Sequence, residues 1–254
     1  MIGQALEAFP GEVLSVFLVF CRIGACLMLT PGIGSQRVPM QVRLLFSLGA
    51  SAAIYSALGE FDGAKQAAGD TSAIIRLAGL ETAKGVFIGF LVRFFFGALQ
   101  WVAEAASSAV GLGTNQSDPE DGEQVPALTS LITVTATALF FITGQHLELL
   151  RALFQSYNVF AFGAVFGQNG EMLELVKVLS AASLVALQVC APLIVFSIVV
   201  NVLFGILNKL APMIPVYFIS PPFIIGGGLM MLYFISQDFF SVFMLQFSNW
   251  LITG

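Results

Sequence analysis

The chain has 254 residues, of which 57% are hydrophobic and 10% charged, and its net charge is −5. Ordinary soluble domains carry about 25% charged residues, so this composition excludes a soluble globular protein. Ten Lys and Arg in all exclude a nucleic-acid binder with a basic patch, and three Cys exclude a disulfide scaffold. The composition therefore predicts a polytopic membrane protein.

The N-terminal half contains three helical patterns. Residues 13–30 are apolar except for Arg22, residues 44–58 form an apolar run of 15, and residues 74–110 form a long helical pattern with embedded charges. Fifteen residues span only about 22 Å of helix, which is short for a hydrocarbon core of about 30 Å. No Lys or Arg precedes Arg22, so we expect no cleavable signal peptide and expect the first hydrophobic segment to remain in the mature protein.

The C-terminal half contains longer uncharged runs. We predict one helix over residues 127–144, and residues 178–208 and 210–237 carry no charge, nor do the 16 residues after Asp238. Strict alternation is absent, which argues against strands and against a membrane barrel. The prediction is an all-α membrane protein of about six or seven hydrophobic helices, forming a single integral-membrane domain over residues 1–254.

Composition also marks the predicted breaks between helices. The Pro31–Ser35 stretch ends the first helix, and residues 111–126 form the most polar segment of the chain. We place Arg37 and Arg43 in a loop, and residues 155–171 have the mixed composition of a re-entrant or interfacial piece. The last third is predicted to be a region of broken helices, because it contains Pro212, Pro215, Pro221, Pro222 and Gly226–Gly228.

No sequence motif indicates catalysis or a cofactor. The chain lacks the H-E-x-x-H, G-x-S-x-G and Walker A patterns, and His146 is its single histidine. The acidic residues 118–123 do not match an EF-hand, and we interpret them as a solvated loop. We interpret Gly226–Gly228 as a site of close helix packing or a flexible break. We therefore predict neither an enzyme, nor a metal site, nor a bound cofactor.

Charges inside apolar helices are the most informative feature. Arg22 and Arg93 lie in mid-span, where a charge costs roughly 2.5–3.5 kcal/mol even on the lenient insertion scale. Such residues normally face protein or water, with snorkelling to a helix end as the alternative. Lys84 lies one turn from Glu81 and can pair with it. A stripe of small and charged residues recurs at every fourth position, which predicts a tightly packed surface: Glu81, Gly85, Gly89, Arg93 and Gly97.

Three segments in order resemble the FliR family of flagellar export-gate proteins. They are RIGACLMLTPGIGSQRVPMQVRLLFSL (22–48), GLGTNQSDPEDGEQVPAL (111–128) and LNKLAPMIPVYFISPPFIIGGGLMMLYF (207–234). The matching positions outside the polar segment are Arg22, Pro31, Pro39, Arg43, Asn208, Lys209, Pro212 and Pro222. The sequence departs from the family pattern at Pro215, at Ser220–Pro221 and near Ile224.

The resemblance implies a subunit of the type III export gate in the bacterial inner membrane, within the flagellar basal body. Its implied partners are FliP-like and FliQ-like gate subunits, FlhB-like and FlhA-like export components, membrane lipid and the unfolded exported proteins. Such subunits wind into a helical assembly around a central path, raised partly out of the bilayer plane. By position, residues 107–125 would plug that path, with Gly111, Gly113, Asn115, Asp118 and Pro119 in the plug.

Two alternatives remain open from the sequence. The chain could belong to the homologous gate of an injectisome, because the motifs do not separate the two systems. It could also be a secondary transporter of a small solute, because discontinuous helices around a substrate site would shelter the same mid-span charges.

Overall fold

The computed structural model describes residues 2–35, 38–58, 70–112, 115–117, 124–160, 162–163, 171–211 and 216–253. Within these ranges the chain forms seven helices and one small hairpin. The helices are α1 (Ile2–Leu29), α2 (Met40–Leu58), α3 (Thr71–Ala109), α4 (Ala127–Ile142), α5 (Gln145–Val159), α6 (Glu171–Leu210) and α7 (Val216–Thr253). The strands are β1 (Asn115–Ser117) and β2 (Gln124–Pro126).

Five helices are long and apolar enough to cross a membrane: Gly11–Leu29, Met40–Leu58, Thr71–Ala109, Val176–Leu210 and Phe218–Ile252. A sixth crossing is possible if the bent pair Ala127–Ile142 and Gln145–Asn158 counts as one span. The predicted all-α membrane protein of six or seven helices is thereby confirmed. A bilayer interior offers no water to backbone groups, so long apolar runs satisfy them as helices.

Several predicted boundaries were wrong in instructive ways. Helix α2 has 19 residues rather than 15, because it starts directly after Pro39, and it therefore spans about 28 Å. Pro221, Pro222 and Gly226–Gly228 lie inside α7 rather than at a break. Helix α7 also continues through Asp238, which stands exposed on it. Pro212 and Pro215 lie outside the described residues.

The predicted helix 127–144 corresponds to α4, which ends at Ile142, and glycine explains this end. The two helices meet at Thr143–Gly144 and are bent by 69°. Gly144 has a φ of +76°, a conformation that costs glycine little and other residues more. The predicted mixed segment 155–171 therefore begins inside α5, and residues 164–170 lie outside the described part of the chain.

The chain divides into two compact units. The first consists mainly of Met1–Phe94 and Gly144–Lys177. Leu18 of α1 and Leu77 of α3 are buried in it, with Phe162 packed against them.

Asp70 lies directly before α3. Its carboxylate accepts hydrogen bonds from the hydroxyl and the backbone N–H of Ser72, and these bonds hold the pKa of the Asp70 carboxyl below its usual range.

The second unit consists of Phe95–Thr143 and Val178–Thr253. Its centre is a group of aromatic rings on α3, α4 and α7: Phe95, Phe96, Phe140, Phe243, Phe247 and Trp250. Their ring centroids lie 5.2–6.0 Å apart, mostly in edge-to-face geometry, as the ring quadrupoles prefer. A single integral-membrane domain over residues 1–254 stays a prediction.

Candidate functional site

A buried ion cluster, defined here as Arg22, Glu81 and Lys84, lies in the first unit. Nε and Nη2 of Arg22 both lie 2.6 Å from Oε2 of Glu81. Nζ of Lys84 lies 3.0 Å from the other carboxylate oxygen, Oε1. The side chains of Arg22 and Glu81 are 0% exposed and that of Lys84 is 1% exposed. Two cations thus share one carboxylate away from solvent.

Helix α5 and the turn after it complete the cluster. Nη1 of Arg22 donates to the hydroxyl of Ser156 at 3.1 Å, and Nη2 donates to the carbonyl of Phe160 at 3.1 Å. The ring of Tyr157 lies under the guanidinium, 3.8 Å from ring centroid to Cζ. The backbone N–H of Gly163 donates to Oε1 of Glu81 at 3.2 Å. The cluster therefore joins α1, α3 and α5.

The sequence pattern did not indicate these partners from α5 and the turn after it. Ser156, Tyr157 and Phe160 lie more than 130 residues after Arg22 in a segment of unremarkable composition. Helical spacing predicted the pair of Glu81 and Lys84. It did not indicate that Arg22, which lies 59 residues before Glu81, would join them. A buried charge needs several hydrogen bonds to offset its lost hydration, and that need was the available signal.

The first part of the glycine stripe packs directly on α1. A Cβ at Gly85 would overlap the carbonyl oxygen of Arg22, and a Cβ at Gly89 would lie 2.8 Å from the carbonyl oxygen of Cys26. Neither glycine could bear a side chain without moving backbone. The close approach brings α1 near enough for Arg22 to reach Glu81, one turn before Gly85 on α3.

The rest of the stripe does not share this contact. A Cβ at Gly97 would meet nothing within 4 Å, and Arg93 is exposed. Each step of four residues turns a helix by about 40° beyond a full turn, so Arg93 lies about 120° around α3 from Glu81. Helical drift thus takes the later members of the stripe away from α1.

Arg43 organises the connection between α1 and α2. It lies in the first turn of α2, not in a loop as predicted, while Arg37 lies outside the described residues. Its Nε donates to the carbonyl of Val38 at 3.0 Å, and its Nη1 donates to that of Gly34 at 3.3 Å. Pro31 and Pro39 bound this connection, so three of the four N-terminal family-motif positions, Pro31, Pro39 and Arg43, lie at it.

The polar segment starts from a well-formed helix end. Gly111 has a φ of +82°, its N–H donates to the carbonyl of Ser108, and the N–H of Leu112 donates to that of Ser107. This is the Schellman pattern, in which glycine closes a helix. Beyond it, Asn115 begins β1, which pairs antiparallel with β2 in register Asn115↔Pro126.

Strands were not predicted, because three-residue strands are too short to show alternation. Of the predicted plug residues, Gly113, Asp118 and Pro119 lie outside the described residues.

The C-terminal motif positions are spread along two helices. Asn208 and Lys209 are exposed in the last turn of α6, where a cation complements the helix dipole. Pro222 is exposed on α7. Gly227 and Gly228 face neighbours closely, since a Cβ at Gly227 would lie 2.5 Å from the ring of Phe196. For Gly226–Gly228 we predicted either close helix packing or a flexible break, and these distances match close helix packing. In the described ranges, no group of three His, Cys, Asp or Glu residues could hold a metal ion.

Comparison with known proteins gives these features a family. Residues 13–250 match the family described as bacterial export proteins, family 1. The chain belongs to the bacterial export proteins, family 1. The matched range contains the ion cluster, the polar segment, all of α6, and α7 as far as Trp250.

Individual relatives of this family agree with the assignment. The flagellar biosynthetic protein FliR of Caulobacter vibrioides is 28% identical over 85% of each chain. FliR of Escherichia coli is 25% identical over 84% of this chain and 80% of its own, and FliR of Bacillus subtilis is 24% identical over 91% and 88%. The resemblance to the FliR family is confirmed. Together with the membrane-crossing helices, these relatives support a membrane component of a flagellar export apparatus.

Proposed function

We propose that this chain is a non-enzymatic subunit of the flagellar type III export gate in the bacterial inner membrane, within the basal body. There it helps to form and to plug the path of unfolded flagellar proteins. The observation that carries this proposal is family membership over residues 13–250, combined with five helices able to cross a membrane. The following features support a chain that works inside an assembly.

The apolar surface of α6 and α7 is longer than a bilayer can cover. On α6 the exposed apolar side chains run from Val176 to Leu210, and on α7 from Phe218 to Ile252. Each stretch rises about 51 Å at 1.5 Å per residue, whereas a 30 Å core crossed at a tilt of 40° covers only about 39 Å. The remainder requires cover by protein, which FliP-like and FliQ-like subunits would supply.

Arg93 gives a second reason for neighbours. It is exposed in the middle of α3, with Phe90 and Trp101 exposed nearby on the same helix. A guanidinium at this depth avoids lipid and faces protein or water. We assign it to a contact with another gate subunit or with the hydrated path. Arg22, by contrast, is buried, and Glu81 and Ser156 bind its guanidinium within the chain.

The polar segment is the part we assign to plugging. Residues 111–126 connect two apolar helices, α3 and α4, and carry four carboxylates. Non-helical backbone near a membrane must face protein or water, so a water-filled path is a suitable place for this segment. FlhB-like and FlhA-like components and the exported chains would meet the gate around that path.

A deletion tests the plug. We expect removal of residues 112–122 from the assembled gate to raise the leak of K⁺ from proteoliposomes, with the complex still recovered intact. A matched variant replaces residues 118–123 by Asn-Gly, a two-residue turn that keeps the Ser117↔Gln124 pair closed. If the deletion leaves K⁺ conductance unchanged in an intact complex, the segment does not plug the path.

Two alternatives are distinguished by separate experiments. The bend of 69° between α4 and α5 resembles the discontinuous helices of secondary transporters, which favours that class as a second candidate. A transporter would move a small solute when purified alone, whereas a gate subunit would be recovered with FliP-like and FliQ-like partners. Deletion of the gene should abolish flagella, while loss of injectisome secretion with normal flagella would indicate the homologous gate.

A further inference from the structure

The C-terminal end of α3 is held by a polar contact with α6. The hydroxyl of Ser197 donates to the carbonyl of Ala109, the last residue of α3. The amide of Asn201 donates to the Ser197 hydroxyl oxygen at 3.1 Å and to the Ser197 carbonyl at 2.9 Å. Ser197 is 1% exposed. Carbonyls in the last turn of a helix lack partners within the helix, so this bond satisfies one of them.

The next residue is held by shape. Val110 is fully buried, and a Cβ at Gly228 of α7 would overlap its Cγ1 and lie 3.5 Å from its Cβ. Gly228 is thus a notch that receives the two methyl groups of Val110. Its neighbour Gly226 would meet nothing within 4 Å if it carried a Cβ, so the notch is specific to one position of the glycine run.

These two contacts come directly before the polar segment. Gly111 and Leu112 close the helix by the Schellman bonds, and the hydroxyl of Ser107 donates to the carbonyl of Leu112 at 3.2 Å. The direction in which the chain leaves α3 is therefore fixed by backbone bonds up to Leu112. What fixes the position of that exit is the pair of contacts at Ala109 and Val110.

We propose that Ala109, Val110, Ser197 and Gly228 form a root anchor that fixes where the chain leaves α3 for the polar segment, with Ser197 and Gly228 as its positioning residues. The inference rests on the proposed plugging role of the polar segment, residues 111–126. If the root moves, the segment no longer sits where it blocks the path, and the gate leaks although the segment is intact. The anchor thus makes gate closure depend on two helices that lie far along the chain.

A compensation experiment tests the root anchor. The gate is co-expressed with its partner subunits, purified and reconstituted, and the K⁺ leak is compared at equal recovery of complex. We expect Gly228→Ala to raise the leak several-fold, because its new methyl group overlaps Val110. We expect the double variant Gly228→Ala with Val110→Ala to return toward the wild-type leak, since removal of the Val110 methyl groups leaves an ordinary 3.5 Å contact between the two Cβ atoms. Gly226→Ala is the matched control and should leave the K⁺ leak at the wild-type level, because its Cβ would meet nothing within 4 Å.

Ser197 provides an independent pair of variants. Ser197→Ala removes the bond to the Ala109 carbonyl and should also raise the leak, whereas Ser197→Thr keeps the hydroxyl and should stay near the wild type. These variants decide the case if Gly228→Ala fails to assemble. A role in stability alone would lower the recovery of complex without opening the complexes that do form.

The outcomes separate this inference from the plug itself. If deletion of residues 112–122 raises the K⁺ leak but Gly228→Ala and Ser197→Ala both leave it at the wild-type level in assembled gates, the root anchor is refuted and the plugging role stands. If the double variant Gly228→Ala with Val110→Ala leaks K⁺ as much as Gly228→Ala alone, the proposed role of the contact between Gly228 and Val110 is also refuted. If deletion of 112–122 does not leak, the plugging role fails first, and the root anchor fails with it.

Discussion

Replacing Glu81 by glutamine removes the carboxylate that holds two buried cations. In the ion cluster, Glu81 accepts hydrogen bonds from Arg22, Lys84 and the N–H of Gly163 at 2.6–3.2 Å. Glutamine keeps the size of the side chain but presents an NH₂ group to at least one of these donors. Breaking a buried ion pair by removing one partner costs about 3–5 kcal/mol. We expect Glu81→Gln to destabilise the first unit by an amount in this range.

The partner substitution should cost less. Arg22→Met removes one cation and leaves Glu81 with Lys84, a neutral pair, whereas Glu81→Gln leaves two buried cations and no anion. The long apolar stem of methionine also fills much of the space of arginine. We therefore expect Glu81→Gln to be more destabilising than Arg22→Met, and the double variant to cost less than the sum of the two.

The assay is denaturant-induced unfolding of the purified chain in detergent micelles, followed by the near-ultraviolet signal of its aromatic residues. The control is Arg151→Met, which removes the ion pair between Arg151 and Glu148 at 2.6 Å on α5. That pair is exposed, with the Arg151 side chain 72% accessible, and exposed pairs contribute about 0–1 kcal/mol. If Glu81→Gln costs no more than Arg151→Met, the reasoning about burial is wrong.

Two further predictions concern α3. Gly89→Leu should lower the free energy of unfolding by at least the roughly 1–3 kcal/mol that is typical of overpacking, because its Cβ would lie 2.8 Å from the Cys26 carbonyl oxygen. Gly79→Leu, on an open face of the same helix, should change the free energy of unfolding little in the same assay. Arg93→Glu should reduce recovery of the gate in affinity capture more than Arg93→Lys, because a partner surface that accepts a cation rejects an anion. Equal recovery of the two Arg93 variants would indicate snorkelling instead.

Sequence patterns anticipated part of the candidate site. The spacing of Glu81, Gly85 and Gly89 identified a surface of α3 that packs closely. The free-energy cost of a charge within the membrane indicated that Arg22 would face protein or water rather than lipid. The pattern extended the same surface to Arg93 and Gly97, which was too far, because four-residue spacing drifts around a helix of 3.6 residues per turn. A repeat in the sequence therefore locates a packed surface only over the first few turns.

Proline was the least reliable guide. Pro221 and Pro222 remove two backbone N–H donors, and the sequence rule ends a helix at such a pair. In α7 the helix continues through them for another 31 residues to Thr253. In a membrane, a helix is the conformation that best satisfies the N–H and C=O groups of the surrounding backbone, so it persists where the same residues would break a helix in water.

The sequence by itself determined that the chain consists of apolar helices, because long uncharged runs without strict alternation cross a bilayer as helices. It also determined where polar backbone interrupts them, at residues 31–35 and 111–126. Only the tertiary structure decided which distant residues meet: Arg22 with Glu81 and Ser156, and Val110 with Gly228. Such pairs depend on how helices pack side by side, and lateral packing leaves no periodic signal in any one helix, since it is fixed by the combined shape and charge of several.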